Sequence, residues 1–331
     1  MDGKKPGIVD QAKEYIRGGR QKNHYSEQEV EACLCPLCSG NDYDRIYRER
    51  GSLVVVQCSG CGLIYVNPRV KQAETNYWGD EKIYREEARY IFTGEKKHHR
   101  DKNYEQEIRE IKKIKKAGAL LDIGCSMGFF LRKAREAGFQ ATGVEPSPSL
   151  SNIAREQFGL NIINTYLEEA ALPERSFDVI TMIDVFEHVT NPRELLRCAA
   201  RLLKDDGLIC IKVPNGNYNM LKLKLARISG REARHDIFDS YEHVAHYTIK
   251  TMRQMLDICD LRAQRVLIPR PIHPPVWARL TGHYYQHASP FRADWKRIIL
   301  RNLFYMAGRT EHALGLAPRF APDLMFMVRK K

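Results

Sequence analysis

Nowhere does the 331-residue sequence hold a run of about 18 apolar residues, the length a membrane-crossing helix needs. Its opening, MDGKKPGIVDQAKEYIRGGRQKNHYSEQEV, lacks the apolar stretch of a secretory signal. These absences lead to the expectation of a cytoplasmic protein. Internal repeats and low-complexity tracts are missing too, which excludes solenoids and compositionally disordered chains. Carboxylates are scarce toward the end: residues 262–331 hold 13 Lys and Arg against 3 Asp and Glu and supply most of the net charge of +12. Such a segment favours phosphate-bearing partners, whether nucleic acid, a nucleotide or lipid-diphosphate substrate, or an anionic membrane face. A solvated basic surface is the alternative.

What is present is enough to build a core, since 43% of the residues are hydrophobic. The length suits one large domain with additions, or two domains. Nine cysteines in a chain expected to stay in a reducing compartment point to thiols or metal ligands rather than disulfides. Four of them are paired, Cys35-x-x-Cys38 and, 19 residues on, Cys58-x-x-Cys61. Each pair precedes small residues, and SLVVVQC supplies a strand between them, the pattern of a four-thiolate zinc ribbon. With all four positions filled by protein, the zinc is expected to be structural. Cys33 reads as a bystander.

The expected organisation is a flexible tail over 1–30, the ribbon over 31–70 and a helical linker over 71–116. A large α/β domain over 117–331 follows, with insertions at 215–247 and 270–318. In the linker, Tyr104, Ile108, Ile111 and Lys115 fall on one helical stripe, Tyr77 and Tyr84 are candidates to line an acceptor pocket, and the adjacent His98 and His99 read as solvent-exposed.

LLDIGCSMGFFLRKAREAGF, residues 120–139, reads as a buried strand, a turn of small residues and an amphipathic helix. Small residues let backbone approach a ligand closely, and the helix start offers N–H groups there. The dinucleotide fingerprint asks for glycine at its first, third and sixth positions; here these are Gly124, Ser126 and the bulky Phe129, which argues against it. The next strand, QATGVEP, ends in Glu145, placed to accept ribose hydroxyls. Further on, SFDVITMIDVFEHV gives a strand and a loop from Asp184, Asn191-Pro192 opens a helix, and another strand follows a turn at Asp206-Gly207.

In this order the segments resemble the class I S-adenosylmethionine-dependent methyltransferases, from about Ala119 to Asn215 and more weakly to Leu261. Ser126 stands where many members have glycine. The resemblance implies a doubly wound Rossmann-like α/β sheet of seven strands, the last (APDLMFMVRKK) antiparallel. It also implies S-adenosylmethionine held by Asp122, Gly124, Cys125, Ser126, Gly128, Glu145 and Asp184. A ribbon ahead of such a domain is similar to bacterial methyltransferases of sugar, surface-polysaccharide and natural-product pathways. YEHVAHYT, residues 241–248, resembles an active-site stretch of nucleotide-sugar C-methyltransferases, mapping onto Glu242 and His243. Quinone-biosynthesis O-methyltransferases share an acid-x-x-Glu-His pattern, proposed there to bind a divalent cation, which matches Asp184, Glu187 and His188.

Methyl transfer from a sulfonium needs an aligned acceptor and, for a hydroxyl, a base. A histidine titrating near neutrality suits that task. His243 beside Glu242 is the first expectation and His188 the second, with His246 a further candidate. The expected function is O-methylation of a sugar-like or other small-molecule acceptor, phosphate-bearing and lipid-linked glycans included. Sugar C-methylation, RNA methylation and non-catalytic cofactor binding remain alternatives. ADWKRIILRNLFYMAGR has an apolar face of Trp295, Ile298, Ile299 and Leu303, suited to a membrane surface or to packing as a lid.

Overall fold

The computed structural model describes residues 24–71, 97–98, 100–230, 236–271, 284–285 and 295–331. Tyr77, Tyr84 and His99 lie outside these. The chain first lays down β1 (Val30–Glu31), β2 (Tyr43–Glu49), β3 (Leu53–Cys58), β4 (Ile64–Val66), β5 (Arg69–Val70) and β6 (Lys97–His98), then α1 (Asp101–Lys112). There follow β7 (Gly118–Ile123), α2 (Phe129–Glu136), β8 (Phe139–Val144), α3 (Pro148–Phe158), β9 (Asn161–Ile163), β10 (Phe177–Ile183), α4 (Pro192–Leu202) and β11 (Leu203–Pro214). The last elements are α5 (Gly216–Ile228), β12 (Ala245–His246), α6 (Ile249–Asp257), β13 (Leu261–Leu267), β14 (Tyr284–Tyr285), α7 (Trp295–Ala313) and β15 (Asp323–Lys330).

The main sheet has seven strands in the order β13-β15-β11-β10-β7-β8-β9. Strands β7 to β11 run parallel, while β15 is antiparallel to both of its neighbours. The parallel strands are near-continuous apolar runs, as strands covered on both faces must be; Leu208 to Val213 of β11 are all buried, Lys212 among them. The helices carry one apolar stripe each. In α4 it is Leu195, Leu196, Ala199 and Leu202, after Asn191 at the cap and Pro192 at the first turn. β11 already begins at Leu203, and a register shift against β10 absorbs the turn expected at Asp206-Gly207. This is the α/β Rossmann-like methyltransferase fold. From β7 the chain moves outward through β8 and β9, then returns to β10 on the other side, so the carboxyl ends of β7 and β10 flank the crevice where such sheets bind ligands.

The cysteine-bearing segment forms an antiparallel sheet in the order β12-β4-β3-β2. Two knuckles at its end repeat one geometry, with Ser39 N–H bonded to the Cys35 carbonyl at 2.8 Å and Gly62 N–H to the Cys58 carbonyl at 2.9 Å. Its buried face, with Val54, Val56, Leu63 and Tyr65, joins the same hydrophobic core as Phe186, Tyr247 and Met252.

One sequence expectation is corrected. His98 is buried, stacked on Phe129 with ring centroids 4.3 Å apart and on Tyr104 at 5.6 Å, because β6 turns it inward against α2. In α7, of the two alternatives for the apolar face, Ile299 and Leu303 do not follow the packed-lid one. Tyr305 and Glu311 are buried and Gly308 abuts Ala321, whereas Ile299 and Leu303 are exposed. Among the described residues no helix is long and apolar enough to cross a membrane.

Candidate active site

At the carboxyl end of β7 the backbone turns through three left-handed positions, Gly124 (φ 67°), Ser126 (φ 50°) and Gly128 (φ 81°). A side chain at Gly124 would place its Cβ 2.7 Å from Val185, and one at Gly128 would meet Leu160 at 2.4 Å. Glycine is therefore required at both. Ser126 has no such clash but occupies a backbone region that favours glycine. Its N–H is held at 2.9 Å by Glu145 Oε2, and Glu145 Oε1 accepts from Ser147 N–H at 2.9 Å. Cys125 is buried, with Gly143 leaving room for its sulfur.

This turn forms one wall of a cavity of about 560 Å³. Residues 122–127, 129 and 130 line it on one side, 165–169 and 183–185 on others, and 188–191 close it near the start of α4. His98, Arg100 and Tyr104 complete the wall. The size lies within the range of small-molecule sites, roughly 300 to 1,000 Å³.

Asp122 is buried and faces this cavity, accepting from the Thr181 hydroxyl at 2.6 Å. Burial pushes its carboxyl up to about 7 against that hydrogen bond, with Glu107 and Glu145 adding to the rise. Glu145 is pushed up to about 7 by burial against its two N–H donors. It lies behind the wall, between Val144 and Pro146, which line the cavity. Two of its roughly four lone-pair positions are taken, so its carboxylate ties the first turn to the second. Asp184 sits at φ 55° and lines the cavity. It is paired with Arg100 and, at 3.3 Å, with Lys212. Lys212 is fully enclosed and also meets Glu107 at 3.0 Å.

A short 3-10 turn at Phe186–His188 shapes the opposite end. His188 Nδ1 lies 3.1 Å from the Glu242 carbonyl. A carbonyl only accepts, so Nδ1 carries the hydrogen and the ring's lone pair sits on Nε2. Nε2 is 3.9 Å from Oε1 of the buried Glu187. The His243 ring is 4.8 Å from that of His188, and His246 is 6.2 Å beyond His243. Ligand atoms of Glu187, His188 and His243 fall within 4.8 Å of one another.

The structure reorders the expectations here. His188 is on the cavity wall and His243 stands behind it. Glu242 meets His188 through its main-chain carbonyl. Asp184 does not share a face with Glu187 and His188, because its left-handed backbone turns it to Arg100 and Lys212; His243 takes the third place. Nor do the imidazoles titrate near neutrality. Desolvation, then the neighbouring His243, holds His188 down to about 3, and desolvation, then Lys222, holds His243 down to about 4. Burial raises Glu187 to about 8. The inward-facing His98 was the residue least legible in advance, whereas Glu187 was signalled by the acid-x-x-Glu-His pattern following a buried strand.

The four paired cysteines come together as the spacing required. Cys35 and Cys61 sulfurs are 3.5 Å apart, Cys38 and Cys58 sulfurs 3.4 Å, and all four lie within 4.8 Å. Cys33 is outside this group, its thiol facing the Val66 carbonyl at 3.5 Å.

Residues 97–264 match the family described as Methyltransferase domain. Ubiquinone biosynthesis O-methyltransferase of Actinobacillus pleuropneumoniae serotype 5b is 28% identical over 159 residues, covering 44% of this chain and 67% of that protein. The enzyme of the same name from Coxiella burnetii is 30% identical over 118 residues, covering 34% and 49%. The chain thus spans about half to two thirds of these relatives. A solved S-adenosylmethionine-dependent methyltransferase of Thermotoga maritima is 17% identical, covering 76% of this chain and 97% of that one at a TM-score of 0.46. With the motif turn, the switch-point cavity and the antiparallel last strand in place, the chain belongs to the methyltransferase-domain family and is an S-adenosylmethionine-dependent methyltransferase.

Proposed function

We propose that the chain methylates a hydroxyl of a small-molecule acceptor, sugar-like compounds among them, bound between the 122–128 turn and a wall formed by His188, with Glu187 and His243 behind it. The observation that carries the reading is the His188 ring on the cavity wall, its lone pair on Nε2 and Glu187 Oε1 3.9 Å away. The names of the O-methyltransferase relatives support a hydroxyl acceptor.

S-adenosylmethionine, when bound, supplies an already activated methyl group. The cavity fits it: the turn at Gly124 and Gly128 admits close approach, and a buried acid, Asp122, faces the cavity with lone pairs beyond the one that Thr181 uses. Asp122, Gly124, Cys125, Ser126, Gly128 and Glu145 would hold it. His188 Nε2 accepts a hydrogen bond from the acceptor hydroxyl and orients its oxygen. As that oxygen takes the methyl and S-adenosylhomocysteine is left, the hydroxyl proton passes to Nε2. Phe129 and Phe130 exclude water from the turn side.

Cys35, Cys38, Cys58 and Cys61 hold one structural zinc ion. Tetrahedral thiolate sites with bonds of about 2.3 Å place sulfurs near 3.8 Å apart, a spacing the observed pairs approach.

The test is a screen with methyl-labelled S-adenosylmethionine against catechols, sugars, nucleotide sugars and RNA. Label released from the product as an O-methyl group supports the reading. Label confined to carbon or to RNA overturns it.

A further inference from the structure

Glu49 ends β2 of the cysteine-bearing sheet and is buried, with 3% of its surface exposed. Its carboxylate is filled by a single distant loop. Oε1 accepts from Ile237 N–H at 2.7 Å and Phe238 N–H at 2.8 Å. Oε2 accepts from Ser240 N–H at 3.0 Å and from the Ser240 hydroxyl at 2.6 Å. A carboxylate offers about four acceptor positions, and all four are used.

The same sheet grips this loop twice more. Beside Glu49, Arg50 is paired with Asp236 and lies over the Tyr241 ring at 4.2 Å. Farther along, β12 pairs with β4, setting Ala245 opposite Tyr65 and His246 opposite Ile64. Val244 is clamped from both sides: its carbonyl accepts from Val66 N–H at 3.0 Å, and its N–H donates to the Glu187 carbonyl at 2.9 Å. Between these anchors lie Glu242, whose carbonyl fixes the His188 tautomer, and His243. The segment that supports the His188 wall is therefore folded against the cysteine-bearing sheet.

We infer that Glu49 is a positioning residue for the acceptor site, and that the cysteine-bearing unit is a structural part of that site. The inference rests on the reading of His188 as the acceptor wall, with His243 behind it. A neutral amide at position 49 keeps the size but turns an NH2 group toward two of the donors, so the loop loses half its anchor while the 122–128 turn is untouched.

The experiment compares wild type with Glu49→Gln, using full-length metal-loaded protein. Amide hydrogen exchange is followed over 236–247, ring nitrogen resonances of the histidines are recorded, and S-adenosylhomocysteine affinity is measured. The expected result is exchange at least tenfold faster in 236–247, shifted His188 and His243 signals, and cofactor affinity within twofold. Once an acceptor is known, its KM or kcat changes while the KM for S-adenosylmethionine does not. Unchanged exchange and ring signals overturn the inference, as does an equal loss of cofactor affinity. If Glu49→Gln does not fold, Ser240→Ala removes a donor from the loop side instead. The same local changes at smaller size then support the inference, and their absence overturns it. A His188→Gln variant with full turnover would remove the acceptor-wall reading while leaving the loop measurement to stand on its own.

Discussion

Ser126 and Glu145, 19 residues apart, are joined by a hydrogen bond of 2.9 Å from the backbone N–H of one to the carboxylate of the other. That bond holds a non-glycine residue in the left-handed region, and it ties the turn after β7 to the end of β8. Glu145→Ala would leave the Ser126 and Ser147 N–H groups without their acceptor, at about 1 to 3 kcal/mol for each that stays buried. The variant is expected to melt lower and to bind S-adenosylmethionine at least tenfold more weakly. Calorimetry and a thermal scan check both; unchanged affinity would remove Glu145 from the cofactor site.

Asp122 gives the ligand-free protein a defined pH response. Its folded value, about 7, lies above its ordinary 3.8, so the folded chain binds this proton more tightly than the unfolded one. The resulting stability is full below about 3.8 and is lost as pH rises to about 7. Asp122→Asn mimics the protonated form. It is expected to gain stability relative to wild type as pH goes from 5 to 8, and denaturant melts at the two values measure the difference. A gap that narrows over that range contradicts the assignment.

Lys212 is enclosed between Glu107 at 3.0 Å and Asp184 at 3.3 Å. Removing one partner of a buried ion pair typically costs about 3 to 5 kcal/mol. Lys212→Met is expected to fall in that range, and adding Glu107→Gln to recover part of it. Urea melts of the single and double variants check the prediction; a single variant as stable as wild type would show that the pairing contributes nothing.

Replacing Cys58 by Ser removes one thiolate from the four-cysteine group. The variant is expected to lose stoichiometric zinc and to loosen the sheet formed by β2, β3, β4 and β12. Metal analysis after chelator-free purification, with hydrogen exchange on the same samples, gives the outcome. Wild-type protein without zinc would contradict the metal assignment.

The parts of the molecule legible in the sequence were those encoded locally. Residues 120–139 announced a strand, a tight turn and a helix, and DLMFMV announced a closing strand whose antiparallel placement the family resemblance implied. What stayed hidden depends on pairing across long separations. Glu49 acquires its role only because the chain returns 188 to 191 residues later to donate four hydrogen bonds. His98 follows no helical stripe, and its stacking on Phe129 and Tyr104 is a property of the packed fold. The order of His188 and His243 could not be read from the Glu-His pairs, because it is set by a main-chain bond to Glu242 and by the β4 to β12 pairing. Titration was misjudged for the same reason, since desolvation is a property of the packed site.

The central claim is that a hydroxyl acceptor meets His188 at the end of a cavity whose other end holds the cofactor. It is tested most directly by measuring cofactor binding and single-turnover methyl transfer on His188→Gln, with an acceptor found by the labelled screen. The account predicts cofactor affinity within twofold of wild type and a transfer rate lower by about 10² to 10⁴, the usual contribution of a positioned base. A transfer rate unchanged by the substitution, or one lowered only as far as cofactor affinity falls, would contradict it.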